Sequence, residues 1–187
     1  FLSFEHERIH LETSSILIRE LPVDLVKYPE YWPSAHASIP LTDIWNPQQK
    51  KDYPENEELV CPEKTVTLGK PPTWPSFGWD NEYGDRETKH VGIFNAQRFM
   101  VSNGEYLEFV KSGGYQNQKF WSEDGWQWKN FRNAKWPTFW VAVGPQHLHQ
   151  YRLRSIFKVH PMPWSWPAEV NFHEAKAYSA WKSEISN

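Results

Sequence analysis

The sequence predicts an α+β fold, because helical and strand patterns occupy different stretches of the chain. Apolar residues recur at helical spacing over residues 1–21, and two later segments open with residues typical of a helix N-cap. Between these helical segments, short alternating stretches predict strands. Of the 187 residues, 39% are hydrophobic and 17% are aromatic, which is enough apolar material for a packed core and excludes a disordered chain.

Charge and cysteine content exclude several classes of protein. The 20 Lys and Arg and 23 Asp and Glu are spread without a run of five like charges, which predicts no nucleic-acid partner and no membrane partner. No segment approaches the ~18 apolar residues of a membrane span. A single cysteine, Cys61, excludes an internal disulfide, and no secretion signal opens the chain, so we expect a cytoplasmic protein.

The first element is a helix predicted over residues 1–21. Leu2, Ile9 and Ile16 recur every seven positions, and Pro22 ends the pattern. No N-cap residue precedes the pattern, so we expect that the first residue is not the natural start of the protein.

The second element, residues 22–61, is predicted to be a connector. Its prolines are too frequent for a long helix or a central strand. Trp32 and Trp45 are too apolar for a freely solvated linker. We therefore expect the connector to wrap over a folded surface.

Strand patterns follow the connector. Residues 65–68 and 90–100 predict short strands, separated by the turn-rich segment 70–87. Residues 139–143 and 153–159 are further strand candidates.

Two shorter helices are predicted from their capping residues. Ser102 and Glu105 have the spacing of a capping box, in which the serine oxygen accepts from the Glu105 N–H and the carboxylate reaches back to the cap. Gly113-Gly114 supplies a left-handed end to this helix. Asn171 and Glu174 repeat the capping pattern, and the predicted apolar face of the second helix is Ala175, Tyr178, Trp181 and Ile185.

The sharpest local motif is HERIHLE, which begins at His6. Residues four apart advance by ~400° and share a helix face, so His6 and His10 can both reach one metal ion. Imidazole ligands suit Zn or Fe(II). Glu12 lies ~200° around the helix from His10, which favours a role in orienting a ligand over a role as a ligand.

Three interpretations of this motif are open on these residues alone. H-E-x-x-H is the signature of zinc peptidases, with Glu7 as the general base. H-x3-H-x-E is typical of a ligand pair in a helical bundle, whose third ligand lies elsewhere. The third interpretation is a solvated helix whose histidines happen to be four apart. Thr13 and Ile16 stand where the metzincin motif needs Gly and His, and prolines break any helix that would present Glu30 as a distant zinc ligand.

A longer series of motifs identifies a family resemblance. FGWDNE at 77–82, NGEYLEFV at 103–110, GGY at 113–115, WSEDGWQW at 121–128 and VNFHEAKAY at 170–178 occur in this order. Residues 62–187 thereby resemble the formylglycine-generating-enzyme (sulfatase-modifying factor) domain. The preceding H-x3-H-x-E helix and proline-rich connector resemble the end of the DinB-like four-helix bundle in the nonheme iron sulfoxide synthases of thiohistidine biosynthesis.

The resemblance implies a domain organisation and a fold. Residues 1–21 would be the last helix of a DinB-like metal-binding bundle, 22–61 the connector, and 62–187 the first half of a C-type-lectin-like sulfatase-modifying domain. The second half of that domain would follow the last residue.

The resemblance also implies a chemistry. Fe(II) would be the cofactor, His6 and His10 would be its ligands, a third ligand would lie upstream, and Glu12 would orient the ligand set. The substrates would be cysteine, histidine and O2, which such enzymes couple into a sulfoxide. We expect the 187 residues alone to bind Fe(II) weakly and not to turn over.

Two branches of the family differ in one position of the motif. The ergothioneine branch shows Gln just before the second His, where this chain has Ile9. The stretch HERIHLETSSILIRELP instead resembles the ovothiol branch, the 5-histidylcysteine sulfoxide synthases. The ergothioneine type stays the alternative within the family, and a noncatalytic lectin-like binding module is the alternative from another class.

The remaining candidates favour structural roles. His147 and His149 would share a face of a strand and could chelate a metal, but a polar edge is the favoured interpretation. His173 is predicted in the first turn of a helix. Cys61 has no paired base and is predicted to be a bystander, and most of the tryptophans are predicted to pack.

Overall fold

The computed structural model describes residues 1–33, 36–83 and 88–186. Helices and small antiparallel sheets occupy separate stretches of this part, so the predicted α+β fold is confirmed. The helices are α1 Leu2–Glu20, α2 Asn103–Lys111, α3 Glu123–Phe131 and α4 Phe172–Ser186. The strands are β1 Glu58–Cys61, β2 Lys64–Thr67, β3 Thr88–Val91, β4 Phe94–Gln97, β5 Trp140–Ala142, β6 Tyr151–Arg154 and β7 Val159–Pro161. None of the helices in the described ranges has both the length and the apolar character of a transmembrane segment.

The chain divides into two compact units. The first contains residues 1–16 and 56–98, and the second contains residues 17–55 and the chain from Phe99 onward. The predicted domain boundaries after residues 21 and 61 concern the family's domains, and they stay a prediction.

The strands of the first unit form a long antiparallel ribbon. β1 pairs with β4 and β2 with β3. Cys61 lies opposite Phe94 and Lys64 opposite Val91, so the two ladders continue one register across the interruption at Pro62. Strands predicted over 65–68 and 90–100 are therefore present.

The end of the predicted connector is part of this ribbon. Residues 58–61 form β1, and the assignment of residues 22–61 to a connector between domains stays a prediction. The hydrogen-bond partners of β1 lie more than thirty positions further along the chain, which a local pattern does not reveal. Of the predicted turn-rich segment, residues 70–83 are described and contain the 3-10 helix Asp80–Glu82, whereas residues 84–87 lie outside the described part.

Helix α2 is the centre of the second unit. The Ser102 oxygen accepts from the Glu105 N–H at 3.2 Å, and the Ser102 N–H donates to the Glu105 carboxylate at 2.9 Å, which confirms the capping box. Gly113 has φ +80° and ends the helix as predicted. A Cβ on Gly104 would lie 2.2 Å from the Tyr53 ring, so this position needs glycine for close packing. The helix is buried along most of its length.

Helix α4 packs beside α2 and α3. The Asn171 oxygen accepts from the Glu174 N–H at 3.0 Å, and the Asn171 N–H donates to the carboxylate at 2.9 Å, so the second capping box is also confirmed. The predicted apolar face is partly wrong, because Ala175 and Ile185 are exposed. The buried residues recur at the helical spacing Glu174, Ala177, Tyr178 and Trp181. The buried face includes a charged residue, Glu174, which a pattern of apolar residues alone does not predict.

Helix α3 and a β-hairpin differ from the sequence prediction. α3 begins after Ser122, whose oxygen accepts from the Gly125 N–H at 3.2 Å, and the sequence interpretation assigned no helix there. The segment 153–159, predicted as one strand, contains the end of β6, a turn and the start of β7. Ser155 makes this turn, because its N–H and hydroxyl both donate to the Lys158 carbonyl, at 2.9 and 3.0 Å. The strand predicted over 139–143 is confirmed as β5.

Candidate metal-binding site

Helix α1 presents the two histidines of the predicted site on one face. The ring centroids of His6 and His10 are 4.6 Å apart, with an angle of 47° between the ring planes. This contact confirms that the spacing of four places both imidazoles together. No residue of α1 is buried in the described part of the chain, so both rings lie on an accessible surface.

The separation of the rings fits one shared metal ion. An imidazole nitrogen binds a divalent metal at about 2.1 Å, and the ring centroid lies about 1.2 Å beyond it. Two imidazoles at right angles around one ion therefore have centroids about 4.7 Å apart. The observed 4.6 Å between His6 and His10 agrees with that value. The separation is thus compatible with one shared ion, and the role of the two residues as metal ligands stays a prediction.

Two other polar side chains of α1 bond to groups outside this pair. Arg8 donates to the Glu5 carboxylate at 3.0 Å, and the Ser15 hydroxyl donates to the backbone carbonyl of Glu12 at 2.7 Å. Within the described ranges, no group of three or more His, Cys, Asp or Glu could hold a metal ion. Glu30 therefore does not complete a zinc site with the histidines in these residues. The roles of Glu7 and Glu12 stay predictions.

Arg19 anchors the last turn of α1 in the second unit. Its guanidinium donates to both carboxylate oxygens of Glu169 at 2.7 and 2.8 Å, and to the Arg154 carbonyl at 2.9 and 3.2 Å. The same group lies 3.6 Å from the centroid of the Phe139 ring. No local pattern predicts this contact, because the partners of Arg19 lie more than a hundred positions away.

In α4, the buried carboxylate of Glu174 belongs to a hydrogen-bonded group with Tyr115 and with Tyr106 of α2. Tyr115 donates to the Glu174 carboxylate at 2.6 Å, and the Tyr106 and Tyr115 hydroxyl oxygens are 3.3 Å apart. Burial raises the pKa of Glu174 above its usual 4.5, although hydrogen bonds from Tyr115 and the Asn171 N–H act in the opposite direction. The capping pattern predicted the position of Glu174 but not its burial.

The aromatic residues of the resemblance motifs mainly pack, as predicted. The buried ones, all in the second unit, are Tyr106, Phe109, Tyr115, Trp121 and Tyr178. His173 lies in the first turn of α4, as predicted, and its ring stacks on Trp128 with a centroid distance of 5.9 Å. These contacts stabilise the fold of the second unit.

The weaker candidates do not form sites. His147 lies in a 3-10 helix and His149 has φ +48°, so the premise that both share a face of a strand is wrong. The preceding Pro145 favours the turn that replaces the strand. Cys61 is a half-buried free thiol in β1, opposite Phe94.

The structure defines an α+β protein whose first helix carries two histidine rings in contact. No family model matches the chain. A protein named hercynine oxygenase from Mycolicibacterium smegmatis is 32% identical to it over 185 residues, which are 96% of this chain and 37% of that protein. The hercynine oxygenase of Mycobacterium tuberculosis is 37% identical over 93 residues, 49% of this chain and 20% of that protein. That of Mycolicibacterium thermoresistibile is 30% identical over 92 residues, 49% of this chain and 19% of that protein. The chain thus spans between about a fifth and just over a third of the length of these relatives.

Proposed function

We propose that the chain is part of an Fe(II)- and O2-dependent oxygenase that couples cysteine to the imidazole of histidine, giving 5-histidylcysteine sulfoxide. The observation that carries the proposal is the contact of the His6 and His10 rings on one exposed face of α1. The support from comparison is the similarity, over 96% of the chain, to a protein named hercynine oxygenase. The paired rings favour a metal, and the name of the relative favours oxygenase chemistry.

His6 and His10 would each donate one ring nitrogen to iron. Because α1 already holds the two rings at a suitable separation, little ordering is needed when the metal binds. Bound iron would supply open positions at which a thiol loses its proton and O2 is reduced. The remaining protein ligand would come from a part of the enzyme outside these residues, and Glu12 would orient that ligand set.

The proposed reaction balances with O2 as the sole oxidant. Cysteine loses its S–H bond and the histidine ring loses one C–H bond, while a C–S bond and an S–O bond form. One oxygen atom enters the sulfoxide and the other leaves as water. The protein must therefore hold the sulfur against one ring carbon and admit O2 beside them.

Hercynine, a histidine derivative, is the second candidate substrate because three similar proteins carry its name. The side chain of Ile9, the residue before His10, favours free histidine as the substrate. Ile9 is 48% exposed and carries no side-chain hydrogen-bond donor. It therefore lacks the amide that the resemblance associates with the trimethylated substrate.

The test is turnover by the full-length protein. The metal-free enzyme is reconstituted with Fe(II) without oxygen, then mixed with O2, cysteine and either histidine or hercynine, and the products are identified by mass spectrometry. We expect the coupled sulfoxide, with a higher kcat/KM for histidine. A preference for hercynine would make hercynine the assigned substrate, and it would leave the proposed iron ligands unchanged.

Variants on α1 separate the iron proposal from the zinc-peptidase interpretation. His6→Ala and His10→Ala should abolish sulfoxide formation and lower the iron content. Glu7→Gln, on the same exposed helix, should retain most turnover, because Glu7 is essential only to the peptidase mechanism. Sulfoxide formation that survives both histidine substitutions would refute the assignment of these residues.

A further inference from the structure

A cleft of about 430 Å³ in the second unit lies outside the candidate metal site. One side is formed by Tyr28, Trp32, Pro33, His36, Ala37 and Ile39, and the other by the β6–β7 turn with His160 and Trp166. Tyr28, Trp32, Phe157 and Trp166 supply its aromatic walls. Its polar side chains include Lys158, His36 and His160. None of the lining residues in the described ranges is Asp or Glu.

The aromatic walls are held by contacts among themselves. Phe157 meets Tyr28 edge to face at 5.6 Å and Trp32 edge to face at 5.4 Å between ring centroids. The Tyr28 hydroxyl donates to the Trp32 carbonyl at 2.8 Å. These contacts hold the protein rings in place, and their flat faces can pack against the ring of a bound ligand.

His36 is held in one tautomer by its neighbours. The Trp166 ring N–H donates to the Ser38 hydroxyl oxygen at 2.8 Å, and that oxygen lies 2.8 Å from His36 Nδ1. The Ser38 backbone N–H also donates to Nδ1, at 3.2 Å. Because Nδ1 accepts these bonds, the proton of the neutral ring lies on Nε2. His36 can therefore offer an N–H donor to a ligand.

The cleft carries a positive charge that no acidic lining residue balances in the described part of the chain. The Lys158 ammonium lies 4.3 Å from the centroid of the Tyr28 ring, where the aromatic face holds it. Burial, together with the charge of Lys158, lowers the pKa of His160, so that this ring is neutral near pH 7. The combination of one ammonium, one fixed N–H and aromatic walls complements a flat ring that carries a negative charge.

We infer that this cleft is a binding site for a small aromatic carboxylate. The ring of the ligand packs against Trp32 and Phe157, and its carboxylate accepts hydrogen bonds from Lys158 and His36. An amino-acid zwitterion fits less well, because its ammonium finds no acidic partner in the cleft. The site is therefore separate from the proposed iron reaction, and it does not depend on that proposal.

Three probes with the same ring and different charges test this inference on the 187-residue chain. Phenylacetate, phenylalanine and phenethylamine are titrated at pH 7 with ligand-observed NMR. Phenylacetate should bind with a dissociation constant of about 1 mM, since so small a ligand has few atoms to contribute. Phenylalanine should bind about tenfold more weakly, and phenethylamine should not bind measurably. Equal affinity for all three, or no binding of phenylacetate at about 10 mM, would overturn the inference.

Substitutions locate the binding in the cleft. Lys158→Gln should weaken phenylacetate binding about tenfold, because a charge-assisted hydrogen bond is lost. The matched control is Lys129→Gln, because Lys129 lies over the Trp126 ring at 4.8 Å outside the cleft, and it should leave the affinity unchanged. Trp32→Ala removes a wall residue that is 45% exposed and should also weaken binding, with circular dichroism to verify folding. Unchanged affinity in Lys158→Gln would refute the assignment.

Discussion

Arg19 is the residue with the widest set of contacts at the end of α1. Its side chain is 13% exposed, whereas that of its ion-pair partner, Glu169, is 52% exposed. The half-exposed ion pair is therefore worth little by itself. The two bonds to the Arg154 carbonyl and the packing over Phe139 account for more of the stabilisation.

Arg19→Ala should lower the free energy of unfolding by about 1–3 kcal/mol, because a half-buried carbonyl loses its donors and an aromatic face loses its cover. Arg19→Lys should recover only part of this loss, since an ammonium does not reproduce the planar fork. Urea denaturation measures both effects. The control is Arg8→Ala on the same helix, whose side chain is 74% exposed, with an expected change within about 0.5 kcal/mol. Equal losses in the two alanine variants would contradict the anchoring role.

Glu174 should make the stability of the protein depend on pH. Burial raises its folded-state pKa, so the folded protein holds the proton more tightly than the unfolded chain. The resulting stabilisation is complete below the usual pKa of 4.5 and is lost as the pH rises through the folded pKa. Glu174→Gln stays neutral, so the stability of the native protein relative to this variant should fall as the pH rises from below 4.5 through the raised folded-state pKa. Urea unfolding across this range measures the difference, and a difference that is constant with pH would contradict the expectation.

At the scale of elements, the predictable features were those with local signals. The capping boxes at Ser102 and Asn171 join residues three positions apart, and both were predicted from spacing alone. The start of α3 at Ser122 also has a local cap, followed by two acidic residues in the first turn, which is a signal that the sequence interpretation missed. The buried face of α4 could not be found locally, because it depends on the hydroxyl of Tyr115 that pairs with Glu174.

The candidate site was predictable to the same extent. His6 and His10 were paired from a spacing of four, and the structure places their rings in contact. Arg19 was not predicted, because Glu169 and the Arg154 carbonyl are distant in sequence. Local spacing therefore identified the chemical groups, whereas the contacts that hold their helix required the three-dimensional structure.

The β-ribbon of the first unit should exchange its amide hydrogens faster than the strands of the second unit. A two-stranded hairpin is only marginally stable in water, and Val60 is 66% and Phe94 49% exposed. By contrast, Tyr151 and Leu153 of β6 are 1% and 7% exposed in a three-stranded sheet. Hydrogen-exchange mass spectrometry should show amides of β1 to β4 exchanging at least about tenfold faster than those of β6. Equal protection of the two sheets would indicate that the ribbon has a stabilising contact of its own.

At the scale of the molecule, the buried aromatic core and the candidate metal ligands belong to different units. The buried aromatic residues belong to the second unit, among them Trp140, Trp164 and Trp181. His6 and His10 belong to the first unit, on a helix without a buried residue in the described ranges. Substitution of either histidine should therefore change metal binding without a large loss of stability.

The chain should bind one divalent metal ion weakly through α1. Structural zinc sites with four ligands are worth about 10–16 kcal/mol, so two imidazoles should supply roughly half of that and give a dissociation constant of about 10 µM. Calorimetric titration with Co(II), which resists oxidation better than Fe(II), measures the affinity. His6→Ala and His10→Ala should each weaken it by at least about tenfold, because a single imidazole remains. The matched control is His147→Ala, an exposed histidine outside α1, and it should bind as the native chain does. Equal weakening by His147→Ala, or unchanged affinity after both α1 substitutions, would show that the spacing of His6 and His10 serves no metal.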